Sequence, residues 1–212
     1  MIELWHCPDA RSFRPLWALE ELGLDYELHL LPFPPRVREP AYLEINPLGT
    51  IPAMRDGETF MTESAAITEY LVTRYGPNEL AVPVDDPAYG AWLNWLHFGE
   101  ATLTFPQTLV LRYRRFEPGR AEVAADDYAK WFLSRLRHVD RALADGAEWL
   151  CAGRFTAADI SVGYALLLAE VIKVSDRFSP AVQAYWARLQ ARHGFQSAKR
   201  AQKMDFAEMM RT

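Results

Sequence analysis

Three short clusters hold the residue types that could do chemistry: Cys7-Pro8-Asp9-Ala10-Arg11-Ser12, Ile51-Pro52 and Thr62-Glu63-Ser64. The first places a thiol, a carboxylate, a guanidinium and a hydroxyl in one short stretch. A free thiol has a pKa of about 8.5, so groups that favour or repel its anion decide how reactive it is at neutral pH. Ile51-Pro52 lies in a stretch that reads as a strand, where proline removes a ladder donor. A cis bond there would turn the Ile51 backbone N–H and C=O toward a ligand; an ordinary edge-strand proline is the alternative. Glu63-Ser64 sits at a strand-to-helix junction, where unpaired N–H groups and the positive end of the helix suit a carboxylate. Together the pair could hold the carboxylate and ammonium of an α-amino acid, or simply cap the helix. Thr156-Ala-Ala-Asp159 has the form of a capping box, with Phe155 placed as its hydrophobic staple. Asp159 is accordingly read as structural rather than as a catalytic acid.

The elements that position these residues follow from periodicity. Ile2–His6 has β-type residues closed by Cys-Pro-Asp, which predicts a strand and a turn. Phe13, Leu16, Trp17, Leu19 and Leu22 recur at helical spacing from Ser12 onward, with Pro15 in the first turn and Gly23 as the stop. A second strand is expected over 26–31. Residues 32–41 carry four prolines and are expected to be a loop, neither regular helix nor central strand. Short strands over 51–54 and 59–61 lead into a helix opened by Thr62-Glu63-Ser64, giving a compact α/β unit. Residues 76–88 hold three prolines and three acidic side chains and mark a boundary. Beyond them, helices are expected over 88–113, 119–143, 157–172 and 181–194. The expected organisation is an α/β domain over 1–77, a linker over 78–87 and an all-helical bundle over 88–212.

Composition narrows the class. Hydrophobic residues make up 50% and charged residues 24% of the 212 residues, the balance of a globular chain. A net charge of −5 argues against a nucleic-acid-binding face. No apolar run approaches the ~18 residues of a membrane span, and Met1 leads directly into a strand pattern. A chain that is neither secreted nor membrane-bound is expected, in the cytoplasm. The two cysteines, Cys7 and Cys151, form no CxxC and no Cys/His cluster, so neither a disulfide scaffold nor a zinc site is expected.

The combination of Asn46-Pro-Leu-Gly-Thr-Ile-Pro-Ala-Met54 with Asp56-Gly-Glu-Thr-Phe-Met-Thr-Glu-Ser-Ala-Ala-Ile-Thr-Glu-Tyr-Leu71 resembles the glutathione transferase superfamily. The resemblance extends to Trp17–Glu27 and to the capping box, and so covers nearly the whole chain. It implies a thioredoxin-like N-terminal domain followed by an all-α helical domain. It implies glutathione as co-substrate, with Ile51 and Pro52 beside its cysteinyl backbone and Glu63 and Ser64 at its γ-glutamyl end. It implies no metal, a hydrophobic electrophile as second substrate, and a homodimer. His97 and Glu100, with Tyr113 further along, fall on the helix that borders the electrophile site in this superfamily; a surface histidine is the alternative.

The thiol end departs from the family pattern. Counting back from Gly23, the Ser or Cys of many classes falls at Asp9, while the cysteine of the bacterial beta class falls at Arg11 and its neighbouring serine at Ser12. Cys7-Pro8-Asp9-Ala10 is similar to the CPxA of omega-class and monothiol glutaredoxin sites, but two residues too far upstream. Arg11 and Ser12 are therefore the expected thiolate-stabilising residues, with Asp9 paired to Arg11 or Arg14. The activity implied is conjugation of glutathione to an apolar electrophile. Thiol–disulfide chemistry through Cys7, and non-catalytic ligand binding, are the alternatives.

Overall fold

The computed structural model of the chain describes residues 1–203. Strand β1 (Ile2–His6) and strand β2 (Tyr26–Leu30) pair in parallel, Ile2 opposite Tyr26 and His6 opposite Leu30. Parallel neighbours need a crossover, and helix α1 (Phe13–Leu22) supplies it. Strands β3 (Ala53–Asp56) and β4 (Thr59–Met61) add antiparallel pairs, giving the order β2-β1-β3-β4. Between them Gly57 takes φ 57°, the left-handed conformation that a two-residue hairpin turn requires. Helix α3 (Ser64–Arg74) follows and packs against α1. The α/β thioredoxin-like class and the helical region after it agree with expectation.

Two details of this unit differ from expectation. The 32–41 stretch is not simply a loop: it holds a one-turn helix α2 (Pro35–Arg38) and the first two residues of a 3₁₀ helix over Pro40–Glu44. Each begins on a proline, which costs nothing at a first helical position because that N–H lacks an intrahelical partner. Ile51-Pro52 lies outside the strand, which starts at Ala53; the residue without an N–H precedes the ladder.

The chain divides into two compact units. The first spans Met1–Asn78 and resumes at Ala191; the second spans Glu79–Gln190. Residues 79–82 are held by the helical unit: Ala157 N donates to the Leu80 carbonyl at 2.9 Å, and Arg154 Nη2 to that of Ala81 at 3.0 Å. Leu80 and Val82 are buried, so apolar anchoring overrides the linker-like composition.

Within the helical unit, the expected helix over 88–113 is a chain of segments: α4 (Tyr89–His97), a wider π-helical run over Phe98–Thr104, α5 (Phe105–Leu111), and a second π-helical turn over Arg112–Phe116. The first widening lies where α4 meets α7 (Ala157–Val171). A Cβ on Gly99 would fall 2.4 Å from Ser161 Oγ, and Ser161 Oγ donates to the Leu96 carbonyl at 2.6 Å. Close backbone approach thus needs glycine there. Helix α6 (Glu122–Ala142) buries Ala125, Ala129, Phe132, Leu136 and Val139, a stripe at helical spacing. Helix α7 is buried along almost its whole length and forms the centre of the unit. Its start carries the expected capping box, Thr156 N donating to Asp159 Oδ2 at 2.9 Å.

The expected helix over 181–194 is two helices, α8 (Pro180–Gln190) and α9 (His193–Ala201). Helix α9 leaves the helical unit and packs on α1, so residues 191–203 do not belong with the bundle in which the sequence reading placed them. Phe195 stacks edge-on against Phe13 and Trp17, at ring-centroid distances of 5.3 and 5.0 Å. Arg192 grips Glu21 with two bonds of 2.8 Å, and Glu21 accepts from Trp17 Nε1 at 2.9 Å. The fork fixes Arg192 in an extended conformation and breaks the helix without glycine or proline.

Candidate functional site

In the α/β unit, three segments converge on the start of α1. The β1–α1 loop folds back through Ser12, whose Oγ accepts from Cys7 N at 3.3 Å and lies 3.5 Å from the Cys7 carbonyl. Cys7, Trp5, Tyr42, Ile51 and Ala53 form one buried cluster with Ala10 against it, which sets the Ile51-Pro52 segment beside the loop. The Ile51–Pro52 peptide is cis. Arg14 and Ser64, both buried, join α1 to the start of α3: Arg14 Nη1 donates to Ser64 Oγ at 3.1 Å. Glu63 is the exposed residue preceding the helix, in extended conformation.

Cys7 has the wrong surroundings for a nucleophile. It is fully buried, and burial pushes its thiol up to about 12. Such a thiol is almost never a thiolate at neutral pH. Ser12 is also fully buried and engaged with the Cys7 backbone, although its 3.5 Å contact to that carbonyl is long for an O–H donor. Arg11 is half-buried. The first-turn N–H groups of α1 are largely engaged: Phe13 N bonds the Ala10 carbonyl at 2.8 Å, Arg14 N that of Arg11 at 3.2 Å, and Pro15 has none.

Asp9 takes φ 54°, rare for a residue with a side chain. Its Oδ1 accepts from Lys199 Nζ at 2.7 Å and Gln202 Nε2 at 2.6 Å, and its N–H donates to Gln202 Oε1 at 3.1 Å. Lys199 on α9 is therefore a partner that the expected Asp9–Arg11 or Asp9–Arg14 pairing did not include. His6 Nε2 lies 3.1 Å from the same Gln202 Oε1. Burial lowers His6 from 6.5 to about 4. Between those values the folded chain binds fewer protons than the unfolded one, so His6's contribution is full above pH 6.5 and lost as pH falls toward 4. At about 1.4 kcal/mol per unit this is worth roughly 3 kcal/mol. Urea midpoints should fall over that range, and the fall should shrink in His6→Asn; equal slopes would remove His6 from the account.

On β1 and β2, Glu3, Glu27 and His29 place one donor atom each within 4.8 Å of one another, a spacing that could hold a cation. His29 Nε2 lies 3.2 Å from Glu3 Oε2, and Arg55 Nη1 is 3.8 Å from Glu3 Oε1, so these carboxylates already face cationic or protonatable partners.

In the helical unit, His97 is exposed and lines an open groove of about 380 Å³ with Leu93, Asn94, Phe98, Ala101 and Thr102. Glu100 and Tyr113 are not among the groove's lining residues; Arg112 lies over the Tyr113 ring at 5.6 Å. No helix among the described residues is long and apolar enough to cross a membrane.

The family model for the glutathione S-transferase N-terminal domain matches residues 10–74, which include the three converging segments save the start of the loop. Glutathione S-transferase 3 of Schizosaccharomyces pombe is 31% identical over 185 residues, covering 80% of this chain and 75% of that protein. The chain belongs to the glutathione S-transferase family. Glutathione S-transferase GstA of Escherichia coli O157:H7 is 28% identical over 204 residues, covering 95% of this chain and 98% of its own. A glutathione transferase structure from Methylococcus capsulatus superposes with a TM-score of 0.83 at 26% identity, covering 95% of this chain and 98% of that one.

Sequence reasoning did not foresee the contact of Arg14 with Ser64 or those of Lys199 and Gln202 with Asp9. Arg14 carried a signal, a charge in the first turn of a helix otherwise rich in apolar residues. Lys199 and Gln202 carried none, since their role depends on where α9 docks.

Proposed function

We propose that this chain binds glutathione and transfers its thiolate to an apolar electrophile, as a cytoplasmic homodimer. The observation that carries the reading is the Arg14–Ser64 pair at the start of α3. Because Ser64 Oγ accepts from the guanidinium, its own proton is free to be donated to a ligand carboxylate. The buried cation and the positive end of α3 favour that anion further. Glu63, next to it, supplies a carboxylate for the ligand's ammonium, and the Ile51 backbone beside the cis peptide pairs with the peptide part. Arg11 and Ser12 serve the thiol end, Arg11 by charge and Ser12 by its hydroxyl once released from the Cys7 carbonyl.

The test is conjugation of glutathione to an aromatic chloro-nitro electrophile, followed by absorbance. Cys7→Ala is expected to retain most of the rate, because the thiol is interior and unionised. Loss of activity in a folded Cys7→Ala protein, or a mixed disulfide at Cys7, would establish thiol–disulfide chemistry instead. A second reading, binding without turnover, is favoured by one observation: a carboxylate, Asp9, stands where the family's hydroxyl or thiol falls. Tight glutathione binding with no conjugation of any electrophile would select it.

A further inference from the structure

One face at the edge of the sheet gathers three metal-ligating side chains. Strand β2 is an edge strand paired in parallel with β1, so Glu3 stands directly opposite Glu27 and Trp5 opposite His29. Residues two apart along a strand share a face, which puts all four side chains on one side of the sheet. Two carboxylates in opposed register repel, and such a pair weakens a sheet unless something offsets it. Glu3 has two partners: Arg55 Nη1 lies 3.8 Å from Oε1, and His29 Nε2 lies 3.2 Å from Oε2. Among the described residues Glu27 has only His29 as an ion-pair partner, Nε2 standing 3.8 Å from Oε1. The imidazole stacks on the buried Trp5, with ring centroids 4.7 Å apart and planes 19° from parallel. The Arg55 guanidinium lies 5.6 Å from the centre of the same indole.

We propose that Glu3, Glu27 and His29 form a binding site for a divalent ion of the zinc class, which fastens the edge strand β2 to β1. Zinc binds imidazole nitrogen and carboxylate oxygen, and three protein ligands leave a fourth position for water. At bond lengths of about 2.0–2.1 Å, tetrahedral neighbours stand about 3.3–3.4 Å apart. The 3.2 Å from His29 Nε2 to Glu3 Oε2 is already at that spacing. The 3.8 Å to Glu27 closes with a small turn of a carboxylate that is 55% exposed. Nε2 then offers its lone pair, so the imidazole binds as the tautomer with its proton on Nδ1. Arg55 and Trp5 act one step out: the guanidinium holds Glu3 Oε1 and leaves Oε2 to the ion, while the indole fixes the ring plane. Magnesium and calcium prefer roughly six or more oxygen ligands and gain little from an imidazole. Glu3 and Glu27 lie toward the N-terminal ends of their strands, whereas the loop to α1 leaves the C-terminal end of β1. The ion is therefore structural, and the proposal stands independently of the glutathione reading.

The experiment titrates zinc chloride into the full chain, stripped of metal by a chelator, and follows binding by calorimetry with magnesium chloride as the comparison ion. Zinc should bind saturably, and magnesium at the same concentration should not displace it. His29→Phe keeps a ring on Trp5 and removes the nitrogen; Glu27→Gln keeps the shape of an exposed side chain and removes its charge. Each should weaken zinc binding about tenfold or more, the loss that even an outer partner of a metal ligand brings. His193→Ala, at an exposed histidine on α9, should leave the affinity unchanged. Zinc should also raise the urea midpoint of the wild type by more than that of Glu27→Gln, since an ion that binds the folded state stabilises it. Absence of saturable zinc binding overturns the proposal. Equal affinity in wild type, His29→Phe and Glu27→Gln also overturns it. Magnesium competing as well as zinc does the same, because the cluster would then be a diffuse acidic patch.

Discussion

Asp159→Ala should destabilise the helical unit by about 3–5 kcal/mol, the largest loss expected of any single side chain described above. The carboxylate is fully buried at the start of the central helix and accepts from Thr156 N at 2.9 Å, Leu150 N at 3.2 Å and the Tyr185 hydroxyl at 2.8 Å. Alanine would leave these donors, and the Thr156 hydroxyl that reaches Asp159 Oδ2 at 3.2 Å, without that acceptor in a place that water does not reach, each at a cost of roughly 1–3 kcal/mol, offset by no longer burying a charge. Burial raises the Asp159 carboxyl from 3.8 to about 6 despite these donors. A raised carboxyl means that the folded unit binds the proton more tightly than the unfolded chain. Its contribution is therefore full below pH 3.8 and lost as pH rises through about 6, opposite in sign to that of His6. Denaturant unfolding of the variant should show a lower midpoint and a flatter dependence between pH 4 and 6. A midpoint within a few tenths of a kcal/mol of wild type would show that the donors find other acceptors.

Ser64→Ala should weaken glutathione binding tenfold or more while leaving the fold intact. A hydroxyl donating to a carboxylate contributes about 1.5–3 kcal/mol, and tenfold corresponds to 1.4 kcal/mol. The substitution also removes the acceptor of Arg14 Nη1. Part of the loss would then come from a guanidinium that swings away from the ligand. Ser64→Thr separates the two contributions, since it retains a hydroxyl for both partners. Calorimetry should show recovery in Ser64→Thr toward wild type. Equal affinity of Ser64→Ala and wild type would move the γ-glutamyl site elsewhere.

The parts of the fold that were legible in the sequence are those written in local patterns. Phe13, Leu16 and Trp17 at helical spacing gave α1, and Thr156 with Asp159 gave the start of α7 to the residue. The stretch after Asn78 reads as a linker by composition, yet Leu80 and Val82 are buried within the helical unit, which composition cannot reveal. The break at Ala191 and Arg192 had no glycine or proline to announce it; it is made by an ion pair with Glu21, a residue remote in sequence. The candidate site divides the same way. Ile51, Pro52, Glu63 and Ser64 lie in contiguous motifs, whereas Lys199 and Gln202 reach Asp9 across most of the chain.

Because the α/β unit resumes at Ala191, it is interrupted by the entire helical unit. A chain made from its N-terminus on a ribosome exposes α1 long before α9 exists. Throughout that interval the rings of Phe13 and Trp17 lack Phe195, and Asp9 lacks Lys199 and Gln202. Nascent chains at this stage carry an apolar helix face for a chaperone to shield, and a chain cut short before residue 191 can never cover it with Phe195. Order of synthesis and order of completion thus run against each other: the earlier segment waits for the later one.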